Sequence, residues 1–324
     1  MKVTINVLFI LFCCTTTIAQ KNFTLLDHLK YSQQLNDVWG YVDTNGREYA
    51  LVGVYDGVSI VDVTIDTNIN ELFFIPGAGS TWRDLKTWNQ YAYITNETDS
   101  GLLIINLLGL PDSINYRYWK GGVLDLLKAH NLYIDEGYAY IFGSNVNHGT
   151  LILDLSNSWN PSLVGTYGEF YVHDAYIRND TMWTSEINDG QISVVDISDK
   201  SNPVRLVSHA TPFSFAHNCW LSDDSKTLFV TEERSGAWVV AYDVSDIYDI
   251  TEVDRYQSIL SIGVIPHNTH VQNNFLITSY YTDGINIVDA NRPSNLVEIG
   301  YYDTSPSYAG SGFQGCWGAY PFLP

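Results

Sequence analysis

The chain has 324 residues and a formal net charge of −20, with 16 Lys and Arg against 36 Asp and Glu. A surface this acidic repels phosphate backbones and anionic lipid, which argues against nucleic-acid binding and suits a protein outside the cell or one that attracts cations. Tyr (23) and Trp (9) are abundant and Met is rare (2). Short apolar runs bounded by Asn, Asp, Gly and Ser read as strands and turns, so the chain is expected to be all-β.

In chain order, residues 1–19 come first and carry the three parts of a secretory signal. Lys2 gives a positive start, Val3 to Cys14 is almost wholly apolar, and Thr15 to Ala19 is a small-residue cleavage region that makes Gln20 the first mature residue. The apolar run is too short to span a membrane, and no later segment is long and apolar enough to do so. The expectation is a secreted or cell-surface, monomeric protein with one domain over residues 20–324. Two cysteines, Cys219 and Cys316, follow the leader, too few for a disulfide scaffold, so the fold must rest on its core.

A segment then recurs six times, beginning at Gly57, Gly101, Gly149, Gly190, Gly236 and Gly284. Each copy is a turn glycine, an apolar strand, and an Asp or Asn suited to bonding its own backbone and starting the next turn. A strand precedes each copy, as in Tyr138 to Phe142. Asn-Pro or Arg-Pro turns follow several, at Pro161, Pro203 and Pro293. The first strand of each unit aligns at Asn36, Arg83, His130, His173, His217, His267 and Gln314, positions 43 to 50 residues apart. Four strands in about 45 residues is the spacing of β-propeller blades.

The Gly-x-x-Ile-Val-Asp core with its Asn-Pro turn resembles the LVIVD-repeat proteins. The wider chain is similar to the choice-of-anchor B family of secreted bacterial proteins. That likeness is carried by Asp37-Val-Trp-Gly-Tyr41, Trp82-Arg-Asp-Leu-Lys86, Ala216-His-Asn-Cys219, Pro266-His-Asn-Thr-His270 and Gly315-Cys-Trp-Gly-Ala-Tyr-Pro-Phe-Leu-Pro324. The resemblance implies an exported propeller, often attached to the cell surface, and no particular activity.

Phe23 to Lys30 matches an outer, fourth strand, and Gln314 to Tyr320 matches a first strand. Joining the two ends in one blade would leave no exposed edge. The pattern therefore predicts seven blades, the last incomplete and the record stopping early. A ring of six blades with packed ends is the alternative.

The start of strand one and the end of strand two lie side by side in an antiparallel blade, on one face near the channel. The expected pairs are Arg83 with Glu97, His130 with Asn145, His173 with Glu186, His217 with Glu232, and His267 with Tyr280. His173, His217, His267, Glu186 and Glu232 are candidate ligands for a divalent metal. Arg83, Glu97, His130, Asn145 and Tyr280 are candidate ligand-binding groups. Structural hydrogen bonding, metal binding and acid–base catalysis are all open to such groups. The next column, Asp37, Asp84, Asn131, Asp174, Asn218 and Asn268, is expected to bond backbone. Trp39, Tyr133, Tyr176, Trp220 and Trp317 suit inter-blade packing or a stacking surface. Cys219 and Cys316 fall in non-adjacent blades and are expected to be buried thiols. The function expected is a binding module for an extracellular protein, glycan or metal. The alternative is a metal-dependent hydrolase or lyase.

Overall fold

A computed structural model describes residues 20–258 and 260–323. The leader read in residues 1–19 lies outside them. Among the described residues six antiparallel sheets follow one another along the chain, each built on four strands in sequence order, and the sixth gains one further outer strand. Blade one comprises Leu35–Val42, Glu48–Val54, Gly57–Asp62 and Asn70–Pro76. Blade two comprises Leu85–Trp88, Tyr91–Ile94, Leu102–Asn106 and Asn115–Trp119. Blade three comprises Asn131–Asp135, Tyr138–Phe142, Thr150–Asp154 and Ser162–Tyr167. Blade four comprises Asp174–Arg178, Thr181–Glu186, Gln191–Asp196 and Val204–Ala210. Blade five comprises Ala216–Leu221, Thr227–Glu232, Val239–Asp243 and Thr251–Tyr256. Blade six comprises Thr269–Gln272, Phe275–Ser279, Ile285–Asp289 and Val297–Tyr302.

The repeated segment is the third strand of every blade, and its two ends explain its residue types. At Gly149 and Gly284 a Cβ would fall inside contact distance of the carbonyl oxygens of Tyr167 and Tyr302 on the adjoining fourth strand, so a side chain cannot stand there. At the far end, Asp62, Asn106, Asp154, Asp196, Asp243 and Asp289 each accept the N–H two residues on, at 2.6–2.9 Å. These are Asx turns, and they start the connection to the fourth strand.

Between these ends the strand is apolar because both blade faces are covered by neighbours. Leu51 and Ile60 of blade one pack in one cluster with Leu85, Ile94 and Leu103 of blade two. Tyr93 and Ile104 meet Leu132, Ile141 and Leu151 of blade three, and Ile152 meets Ala175, Ile177 and Val195 of blade four. Val194, Phe229, Val240, Leu276 and Val288 continue the core through blades four to six. Each such side chain contributes about 1.5–3 kcal/mol of burial, and the ring is held blade against blade.

The count of blades is six, not the seven expected, and the chain ends do not make a further sheet. Phe23 to Lys30 forms no strand. The strand is Gln20–Lys21, a fifth, outer member of blade six paired with Val297–Tyr302. The chain then crosses to blade one, where the Asp27 carboxylate accepts from Ile69 N–H at 3.0 Å and the Tyr31 hydroxyl bonds Ser59 Oγ at 2.8 Å.

The C-terminal tail fills the interval between blades six and one. Cys316 exchanges two backbone bonds with Tyr281 of blade six. Gly318 sits where a Cβ would collide with the Asp37 carboxylate, and Tyr320 occupies the space that a side chain at Gly40 would need. Further along the inner strands, Phe322 stacks on Trp220 with ring centroids 5.6 Å apart, and Tyr320 packs edge-on to Trp39 at 4.7 Å. Trp39 and Trp220 of the aromatic column therefore pack against this tail, whereas Trp317 belongs to it and packs on His267 and Tyr281.

Candidate functional site at the channel mouth

His130, His173, His217 and His267 immediately precede or open the inner strands of blades three to six. They form an arc with ring centroids 4.1, 4.3 and 4.5 Å apart in succession. Each ring is tied to the next element round the ring. His173 Nδ1 bonds the His217 carbonyl at 3.1 Å, His217 Nδ1 the His267 carbonyl at 3.2 Å, and His267 Nδ1 the Trp317 carbonyl at 2.5 Å. His130 Nδ1 bonds Glu97 Oε1 at 2.6 Å. A carbonyl can only accept, so Nδ1 carries the proton in His173, His217 and His267. Their Nε2 atoms are left as lone-pair donors.

Burial, reinforced by the other imidazoles, pushes His173 well below the usual histidine range. Burial likewise carries His217 and His267 down to about 3. These rings are neutral at pH 7, the form that ligates metals.

The carboxylate that joins them is Glu233, which the sequence reading passed over in favour of its neighbour. Glu233 Oε2 lies 3.7 Å from His217 Nε2, and ligand atoms of His217, Glu233 and His267 all fall within 4.8 Å of one another. Glu232 points the other way, accepting from the Phe213 and Phe215 N–H groups and the Thr211 hydroxyl. Alternation along a strand puts Thr231 and Glu233 on one side, and the Thr231 hydroxyl does reach the His267 carbonyl, at 2.5 Å. That period-two rule was the available signal.

The other expected pairs also shift. Glu186 faces Thr184 and Gln191 within its own blade, and burial raises its pKa. Glu97 pairs across blades with His130, not with Arg83, and that hydrogen bond holds it below the usual carboxylate range. Arg83 spends its guanidinium on the carbonyls of Val54, Tyr55 and Ala78. Asn145 bonds the Leu127 and Lys128 N–H groups and the Asp125 carbonyl. Tyr280 is buried and bonds the Tyr256 carbonyl at 3.3 Å, while Tyr281 is the residue against His267, at 4.8 Å.

Beneath the histidines lies a second polar layer. Asn131 and Asp174 accept the next residue's N–H, at 2.6 and 2.7 Å, and Asn218 links Asp174 to Thr269 of blade six. Of the six residues expected to bond backbone, these three do; Asp84 instead pairs with Lys86, and Asp37 Oδ1 and Asn268 Oδ1 are buried without a partner. Lys86 pairs with Asp84 and lies 4.3 Å above the Trp39 ring. Burial would lower Lys86, but the charges of Asp84 and Asp37 outweigh it and hold it above its ordinary value. Burial, then the Asp84 charge, raises Asp37 well above the carboxylate range and Asp174 to about 7.

Trp82, Arg83, Glu233, Trp317 and the four histidines line a cavity of about 40 Å³ at the mouth. One water needs on the order of 10–15 Å³, so this space takes an ion with a few waters and nothing larger. Cys219 and Cys316 are free, buried thiols, as expected.

Fold and site together define a six-bladed β-propeller with a histidine-lined channel mouth. It carries LVIVD repeats: the description of that repeat matches residues 128–169 and 187–211, in blades three and four. No curated protein matches the chain in sequence. Among solved structures, a candidate 6-phosphogluconolactonase of Bacteroides fragilis is 13% identical, with a TM-score of 0.63 over 86% of this chain and 85% of that one. The periplasmic gluconolactonase of Pseudomonas aeruginosa is 12% identical, with a TM-score of 0.59 over 86% and 88%. A protein of unknown function from Desulfotomaculum acetoxidans is 10% identical, with a TM-score of 0.64 over 89% and 91%. At these identities the likeness is one of fold. Among the described residues no helix is long and apolar enough to cross a membrane.

Proposed function

We propose that the protein is an exported binding propeller of the choice-of-anchor B kind, and that its channel mouth holds a divalent transition-metal ion. The observation that carries this reading is the convergence of His217, His267 and Glu233, with both imidazoles fixed as Nδ1–H tautomers. Two neutral imidazoles and one carboxylate suit zinc or ferrous iron and leave coordination positions open. His173 Nε2 is the next donor round the arc. Hydrogen bonds from the second ring nitrogen to carbonyls are the usual outer support of such ligands. The open positions would present the ion to a ligand arriving at the mouth.

A metal-dependent hydrolase or lyase would use the same ion to activate a bound water. The reading as a binding module is supported by the small mouth, a cavity of about 40 Å³ that takes an ion with a few waters.

The test is metal analysis of tag-free protein followed by zinc titration. One zinc per chain is expected, lost in a His217→Ala/Glu233→Gln variant whose far-ultraviolet circular dichroism is unchanged. Wild-type protein that takes up no zinc, iron or manganese would overturn the metal centre.

A further inference from the structure

Beside the small cavity lies a much larger groove of about 760 Å³, and the two share Trp82, Glu233 and Trp317 as walls. Its volume falls in the range of roughly 300–1,000 Å³ typical of small-ligand sites. Trp82, Tyr308 and Phe313 line it while remaining 43%, 50% and 57% exposed. Phe313 is held edge-on to Tyr281 at 5.4 Å, so this aromatic surface is anchored to the residue that also bonds Glu233. Gln34, Thr81 and Gln314 place amide and hydroxyl groups among the rings.

We infer that this groove binds a neutral oligosaccharide. Pyranose rings would lie on Trp82 and Phe313, with hydroxyls directed to the amides and to the ion at the inner end. The inference rests on the proposed metal centre for that last contact.

Three observations select this ligand chemistry. Broad, rigid aromatic faces interleaved with uncharged donors and acceptors match a molecule with apolar faces and a hydroxylated rim. Glu233 is the one charged side chain among the described residues lining the groove, and no Lys or Arg lines it, so apart from the ion at its inner end nothing there would neutralise an anionic sugar. The net charge of −20 repels polyanions before contact. A wholly apolar ligand would leave Gln34, Thr81 and Gln314 without partners, at a cost for every polar group it desolvates.

The experiment is calorimetric titration of the zinc-loaded full chain with cellohexaose, xylohexaose, mannohexaose and chitohexaose. Oligogalacturonate and a tryptic casein digest serve as the charged and peptide probes. Saturable binding of at least one neutral hexasaccharide is expected, weakened about tenfold by Trp82→Ala and by Phe313→Ala, the loss expected for one stacking contact. Both side chains are exposed, so neither change threatens the fold.

No binding of any neutral glycan at about 10 mM would overturn the assignment. So would binding indifferent to both variants, or a preference for oligogalacturonate or casein peptides. If zinc binds one per chain and every neutral glycan fails, the groove assignment falls and the metal centre stands. If a glycan binds equally well to chelator-treated protein that takes up no metal, the centre falls and the groove remains.

Discussion

The phenol of Tyr281 donates to Glu233 Oε1 at 2.5 Å, from a backbone held at φ 41°. A bulky side chain in the left-handed region is strained by roughly 1–3 kcal/mol, and such strain persists where the surroundings fix it. Here the paired bonds to Cys316 do so. Tyr281 thus orients the carboxylate without touching an ion itself. Tyr281→Phe removes that hydrogen bond and keeps the ring, so zinc affinity should fall about 10–100-fold with folding intact. Competition against a chromophoric chelator measures it, and an unchanged affinity would remove Tyr281 from this role.

Docking of the tail should be sensitive to Gly40. A methyl group there would enter the space of the Tyr320 ring, itself hemmed in by Trp39 and Phe322. Gly40→Ala should cost about 1–3 kcal/mol and lower Tm by roughly 2–10 °C. Zinc affinity should drop with it, because the Trp317 carbonyl that sets the His267 tautomer belongs to the same segment. A Tm equal to wild type would show that the tail tolerates the intrusion.

The repeat glycines are not equivalent, and two alanine variants separate their roles. At Gly149 the obstacle is the Tyr167 carbonyl, a backbone atom that cannot rotate away. At Gly236 nothing lies within 4 Å, and only the positive φ of 74° opposes a side chain. Gly149→Ala should therefore cost more than Gly236→Ala, about 1–3 against about 1 kcal/mol. Urea midpoints at constant m-value decide it, and the reverse order would refute the close-approach argument.

Acid should destabilise the protein well above the ordinary carboxylate range. His270 is buried against Trp220 and Phe322, its Nδ1 has no partner, and burial with the Lys86 charge carries it down to about 3. The unfolded state takes up this proton near pH 6.5, while the folded state refuses it until about 3. Stability contributed by the neutral ring is therefore present above 6.5 and lost as pH falls through that window, by roughly 1 kcal/mol per pH unit. His270→Phe should remove that share of the limb in urea titrations at pH 7, 5.5 and 4, leaving the share owed to His173, His217 and His267, which burial also holds low. A limb identical to wild type would mean that His270 is not among the groups refusing a proton.

Both thiols should be inert in the native state. Burial pushes Cys219 and Cys316 up to about 12. An aromatic disulfide reagent should react only on unfolding or local opening, with Cys316 in the tail ahead of Cys219 inside blade five. Faster reaction at Cys219 would place the weakest part of the ring elsewhere.

Much of the architecture was legible because a propeller repeats its physics. The close backbone approach at Gly149, the Asx turn at Asp154 and the two-sided burial of Leu151 and Leu153 recur in blade after blade, so the period stands out. The histidine column was legible for the same reason. What escaped was register at places where the repeat breaks. Gln314 to Trp317 resembles a first strand, yet it is the Trp317 carbonyl that accepts from His267 and from Ser279 Oγ. The corresponding carbonyls elsewhere belong to the histidines themselves, so the tail sits three residues out of the aligned phase. Local likeness cannot say which carbonyl an imidazole will choose. The confusion of Glu232 with Glu233 has the same origin, since a one-residue slip at a strand end exchanges its two sides.

Phe322 stacks on Trp220 and packs edge-on to His270, and with Tyr320 and Trp39 it walls a hollow of about 230 Å³ that Lys86 also lines. The buried Lys86 ammonium therefore borders a hollow on the tail side that is distinct from the small cavity lined by the four imidazoles. An ion seated among the imidazoles would leave that second approach to Lys86 open, so the ammonium should exchange protons whether or not the metal is bound.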